Sequence, residues 1–122
     1  MSASAERDRL EAELAAWAAG GRRPRLFWRD DDAVADTPAL DRLLGLAEAH
    51  GAPLLVAAIP ALAQSSLGRV LRRHGLATGA VHGWAHANHA PPGEKPCELG
   101  RHRPLAAVLA ELAAGRAKLG EL

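Results

Sequence analysis

Three histidines and an asparagine fall within one short run, His82-Gly83-Trp84-Ala85-His86-Ala87-Asn88-His89. Neutral imidazole is the commonest protein ligand for a transition metal. Upstream, Asp30-Asp31-Asp32 supplies three adjacent carboxylates. Cys97 is the single cysteine, so a thiolate cluster is disfavoured and any metal must be held by histidine and carboxylate. Two imidazoles and one carboxylate form a common ligand set for catalytic zinc, with a fourth position left for water, whose pKa the ion lowers to about 7. A neighbouring carboxylate outside the ligand set can then take the water's proton. Adjacent aspartates at a strand end point in different directions and can divide the two roles.

Spacing decides whether His82 and His86 can share one ion. Four residues of extended strand would separate them by roughly 13 Å. One helix-like turn brings that to about 6 Å with both side chains on one face. Gly83, directly after the first histidine, makes such a turn easy. Each motif alone has a plainer reading, a solvated strand end for the aspartates and an incidental pair for His-x-x-x-His. Trp84 fits a sugar platform or core packing. Asn88 and His89 fit a pocket wall or a loop role, and His50 and His74, each before a glycine, fit helix C-termini. Cys97 lies in a loop with no role assigned to it.

The elements that must position these residues follow from periodicity and punctuation. Leu10, Leu14 and Trp17 recur at helical spacing, predicting an amphipathic packing helix over about residues 4–19, stopped by Gly20-Gly21. Leu26-Phe27-Trp28 suits a first buried strand running into the aspartates. Asp36-Thr37-Pro38 is a helix start, Leu40, Leu43, Leu44 and Ala47 define its apolar face, and His50-Gly51 ends it. The apolar run from Pro53 to Pro60 predicts a second strand, buried on both faces. Ser65 or Ser66 caps a short helix reaching His74-Gly75, Leu76 to Val81 forms a weaker third strand, and residues 83–103 read as a long loop. Pro104 opens a last helix with Leu105, Val108, Leu109 and Leu112 on one face.

Alternating strands and helices predict an α/β fold with parallel strands, whose ligand sites form beyond the strand carboxyl ends. The aspartates follow the first strand and the histidines the third, so parallel topology puts both on one rim. The length of 122 residues allows one domain, divided here into a helix and link (1–24) and the site-bearing portion (25–122). Fifteen basic against fourteen acidic residues give a net charge of +1, and aromatic content is 3%. Neither favours nucleic acid or an anionic membrane surface as a partner. The charged N-terminus is unlike a signal peptide and no run is long enough for a membrane span, so a cytoplasmic location is the expectation.

Trp28-Arg29-Asp30-Asp31-Asp32-Ala33, followed by Thr37-Pro38 and a helix ending in His50-Gly51, resembles the first motif of polysaccharide deacetylases, the NodB-homology or carbohydrate esterase family 4 group. That motif normally reads Thr-Phe-Asp-Asp-Gly. His82-Gly83-Trp84-Ala85-His86 is similar to the second motif, in which three residues separate two metal-binding histidines. The resemblance covers about residues 25–90 and implies a metal-dependent hydrolase that removes N-acetyl groups from a carbohydrate, most simply with Zn²⁺. Aligning Ala33 with the motif glycine implies Asp31 as catalytic base and Asp32, His82 and His86 as metal ligands; a slip of one residue makes the acidic pair Asp30 and Asp31. The departures are Ala33 for glycine, Arg29 for a small or aromatic residue, and Gly83 for serine or threonine.

The implied fold is a distorted β/α barrel, of which this chain carries the N-terminal part. Barrels of this type need about 200 residues or more. Nothing after Leu99 is similar to the family's later motifs, which supply an arginine, a tryptophan wall and a histidine acid. An alternative of another class is therefore a non-catalytic metal-binding or partner-binding remnant, open to self-association through an exposed sheet edge. A third reading is a metallohydrolase acting on a non-sugar amide.

Overall fold

The computed structural model describes residues 2–122. Three parallel strands, β1 (Trp28–Ala33), β2 (Leu54–Ala58) and β3 (Ala77–Val81), form one sheet in that order. Four helices accompany them: α1 (Ala3–Ala19), α2 (Pro38–Ala49), α3 (Ser65–Arg73) and α4 (Leu105–Glu121). The fold is thus α/β and parallel. Among the described residues no helix is long and apolar enough to cross a membrane.

The first βαβ unit forms where punctuation and periodicity agree. Thr37 caps α2, its Oγ1 accepting the Leu40 N–H at 3.1 Å, and Pro38 occupies the first turn. Leu40, Leu44 and Ala47 then point inward onto Leu54, Val56 and Ala58 of β2 and onto Leu67 and Val70 of α3. Paired register puts Trp28, Leu54 and Ala77 in one row on this helix-covered face and Arg29, Leu55 and Thr78 in the row on the opposite face. Arg29 and Thr78 are exposed there.

Four sequence expectations differ from the structure. The N-terminal helix forms but buries no residue, and Leu10 and Leu14 stay exposed. Within it Trp17 donates to Glu13 at 2.9 Å and stacks under Arg22. Leu26 and Phe27 precede β1 and are 89% and 80% exposed, and β1 itself, which begins at Trp28, buries only Ala33. Neither serine caps α3; its N-cap is Gln64, while Ser66 Oγ accepts the Asp36 N–H and Ser65 Oγ accepts from Arg69. On α4, Leu105 and Leu109 face solvent and the buried positions are Val108 and Gly115.

The α4 shift has a steric cause. A Cβ at Gly115 would lie 2.8 Å from Pro60 Cγ and 3.4 Å from Val81 Cγ1, so the helix approaches the β2 and β3 ends through its glycine. Lys118 Nζ secures that approach by donating to the Ala61 carbonyl at 3.1 Å. β1 and β3 are the sheet's edge strands, and α4 packs against β3.

Candidate metal centre

The carboxyl ends of the strands are tied into one rim by backbone hydrogen bonds that continue past the strands themselves. Ile59 N–H donates to Ala33 O at 3.0 Å, His82 N–H to Ala58 O at 2.8 Å, and Ala61 N–H to Trp84 O at 2.8 Å. The segments leaving β1 and β3 therefore meet over the end of the central strand β2. Strand β1 reaches the rim irregularly, since its pairing with β2 shifts register between Asp30 and Ala33. Within that bulge Asp32 takes a φ of 64°, a left-handed conformation that aspartate tolerates better than most residues. Bulges beside functional sites commonly re-aim a side chain. Here the bulge turns Asp32 toward β3.

Asp32 Oδ1 lies 3.1 Å from His82 Nε2 and 3.4 Å from His86 Nε2. The two imidazoles stack with centroids 5.2 Å apart and planes 26° from parallel. One ligand atom from each of Asp32, His82 and His86 lies within 4.8 Å of the other two. Tetrahedral zinc with ligand bonds of about 2.0–2.1 Å has ligand-to-ligand edges of roughly 3.3 Å. Both nitrogen-to-oxygen distances fall close to that edge, and the imidazole nitrogens lie within 4.8 Å of each other, so the three residues form a candidate site for a divalent ion. Neutral nitrogen and carboxylate oxygen donors also suit zinc and related first-row metals. Half of each of Asp32 and His86 stays open to solvent, and His82 is the more enclosed at 26%.

The other two aspartates point elsewhere. Asp31 is gripped by Arg29, with Nε to Oδ1 at 2.7 Å and Nη2 to Oδ2 at 2.9 Å, a bidentate fork. Those hydrogen bonds hold the Asp31 carboxyl below the usual carboxylate range, and the charges of Arg29, His82 and His86 act in the same direction. Asp30 is half-buried and faces the helix side with Trp28 and Val56. Of the two acidic pairs left open by the sequence, only the register with Asp32 brings a carboxylate onto both histidines. A cleft of about 230 Å³ borders the acidic side, lined by Asp30 to Ala35 with Thr37, Ala39, Leu40 and Leu43. A larger cavity of about 390 Å³ between α3, β3 and α4 has no carboxylate side chain or imidazole in its lining.

The sequence left one residue of the rim unremarked. Glu98, in the long loop, accepts the backbone N–H groups of Trp84 at 3.2 Å, Ala85 at 2.7 Å and His86 at 3.2 Å. Burial pushes its carboxyl up, but the N–H groups of Ala85, Trp84, Ala87 and His86 outweigh that and hold it below its ordinary range. Sequence carried no signal for this role, because an isolated acidic residue in a loop has no spacing to read. Asn88 and His89 belong to the loop's own fabric: Asn88 Oδ1 accepts from Ala90 and Cys97, and His89 N–H donates to Cys97 O. His74 pairs with Glu48 at 2.7 Å rather than only ending its helix. Trp84 is half-buried and His50 caps α2.

Comparison of the chain with protein-family models, with curated proteins and with solved structures returned no match.

Proposed function

We propose that the chain carries a divalent-metal site formed by Asp32, His82 and His86, with Zn²⁺ as the fitting ion, and that the site serves amide hydrolysis of the polysaccharide deacetylase kind. One observation carries the metal reading: Asp32 Oδ1 stands within 3.4 Å of both histidine Nε2 atoms on the carboxyl rim of a parallel sheet. The deacetylase reading rests on the motif resemblance, and the one-sided sheet supports it. A sheet with its helices on one face and Arg29, Leu55 and Thr78 on the other is compatible with a segment of a β/α barrel wall.

When bound, zinc would supply Lewis acidity toward the acetamide carbonyl and the attacking water. Asp31, adjacent to the ligand set but outside it, accepts the water proton. The carbonyl carbon gains the water oxygen, the C–N bond breaks, acetate leaves, and the proton passes to the sugar amine. Arg29 orients Asp31 and holds its carboxyl below the usual carboxylate range. The test is acetate release from N-acetylated sugar oligomers by the zinc-loaded chain. Release that falls by at least about 100-fold in Asp31→Asn supports the reading. Absence of release from a chain that does hold zinc refutes the deacetylase assignment and leaves the metal site standing.

The Arg29 fork also favours a second reading, a metal-binding domain without catalysis. A base works best with a pKa near the working pH, and the fork moves Asp31 the other way. In that reading the chain takes up metal, releases no acetate, and associates with a partner or a second copy through the edge of β1 or β3.

A further inference from the structure

The metal-site reading requires His86 to turn back over His82, and nothing in the residues between them enforces that turn. Gly83 has φ 65° and His86 has φ 55°, so two left-handed residues bracket Trp84 and Ala85. Such alternation aims successive N–H groups into one concavity, a nest suited to an anion. The anion here is internal. Glu98 fills the concavity with both carboxylate oxygens, Oε1 on Trp84 and Ala85 and Oε2 on His86.

We infer that Glu98 is the positioning residue of the histidine pair, its carboxylate gathering the N–H groups of Trp84, Ala85 and His86 so that the second imidazole stacks over the first beside Asp32. Resting on the metal-site reading, the inference adds a residue twelve positions beyond His86. Two further observations argue for a built contact. A Cβ at Gly83 would lie 1.8 Å from Glu98 Oε2, so the carboxylate occupies the space that only glycine leaves open, and Gly83 is buried beneath it. Glu98 is itself anchored: its carbonyl accepts from Arg103 Nη2 at 3.1 Å, and Arg103 Nη1 contacts both oxygens of Glu111 on α4 at 2.8 Å. The turn is thereby braced against the helix that packs on β3.

A role confined to closing a surface loop would leave the histidine geometry unchanged, and metal spectroscopy separates the two. The full chain is titrated with Co²⁺, whose visible absorption reports ligand geometry, and amide exchange is followed in the metal-free chain. Glu98→Ala is expected to weaken Co²⁺ binding by about 10–100-fold, the usual effect of losing a group that orients metal ligands. It is also expected to alter the cobalt spectrum and to speed exchange at Trp84, Ala85 and His86, with Val56 and Ala57 in β2 unchanged. Glu98→Gln, which keeps one acceptor oxygen on a side chain of equal length, restores most of the affinity. Should Glu98→Ala not fold, Glu98→Asp gives the same comparison with a carboxylate drawn back by one methylene. Wild-type cobalt affinity and spectrum in the folded Ala or Asp variant overturn the inference, as do unchanged exchange rates at the three amides. Failure of the unmodified chain to take up cobalt overturns the metal-site reading instead, and the exchange rates still decide whether Glu98 holds the turn.

Discussion

Substituting Gly83 by alanine brings two effects together at one atom, and their sizes can be separated. The first is backbone strain: a side chain at φ 65° costs about 1–2 kcal/mol, offset by about 0.4–1 kcal/mol from the lost freedom of glycine in the unfolded chain. Net strain is therefore about 1 kcal/mol. The second is displacement of Glu98, whose Oε2 lies 1.8 Å from the new Cβ and must leave. The bond from the His86 N–H goes with it, and the swing of the carboxylate strains the two that Trp84 and Ala85 make to Oε1, which lies 3.5 Å from the new Cβ. A hydrogen bond to a charged group is worth about 1.5–3 kcal/mol net, but the loop is partly open and water replaces much of that, so about 2–3 kcal/mol in total is the reasonable figure. Displacement outweighs strain, and Gly83→Ala should destabilise by about 3–4 kcal/mol.

The same substitution placed on Glu98→Ala meets no carboxylate, so only the strain remains, about 1 kcal/mol. A double-mutant cycle measured by urea denaturation of the metal-free chain should give a coupling of about 2–3 kcal/mol between the two positions. The assay requires similar m-values for all four proteins, since a changed m would mean a changed denatured or native state. Additivity within about 0.5 kcal/mol would mean that the carboxylate does not occupy the space over Gly83.

Leu44, fully buried between α2 and the sheet, should lose about 2–5 kcal/mol on Leu44→Ala by the same denaturation assay. Arg29→Gln removes the fork that holds Asp31 low, so an NMR titration should show the Asp31 carboxyl rising toward the ordinary carboxylate range; an unmoved titration would deny the fork its role. Any activity that uses ionised Asp31 would then lose its acid limb at a higher pH than in the unmodified chain. Removing residues 2–21 should change the folding free energy by less than about 1 kcal/mol, because α1 buries no side chain.

The sequence was most legible where local and tertiary preferences coincide. Thr37-Pro38 begins α2, the run after Pro53 becomes the central strand, and the parallel order brings Asp32 and the histidines to one rim. It was misleading where an apolar side chain has no partner. Leu10, Leu14, Leu26 and Phe27 have the spacing or bulk of packed residues, but burial depends on what lies opposite, and spacing does not encode that. On α4 the contact is made by Gly115 against Pro60, a close approach that a hydrophobic pattern cannot register. The site divides in the same way. His82, Gly83 and His86 could be read from spacing, and the bulge aims Asp32 at them, whereas Asp31, the ligand under the slipped alignment, pairs with Arg29. Glu98 could not be read, because its role depends on a chain reversal and on backbone donors that carry no residue identity.

Zinc binding by the purified full chain decides whether Asp32, His82 and His86 form one metal site. Isothermal titration at neutral pH should show one Zn²⁺ per chain, with proton release if either imidazole is protonated beforehand. Binding should be lost or weakened by several orders of magnitude in His86→Ala and in Asp32→Ala, while Asp30→Ala leaves it unchanged. A chain that takes up no zinc, or one whose zinc affinity survives loss of both Asp32 and His86, has no metal site at these residues.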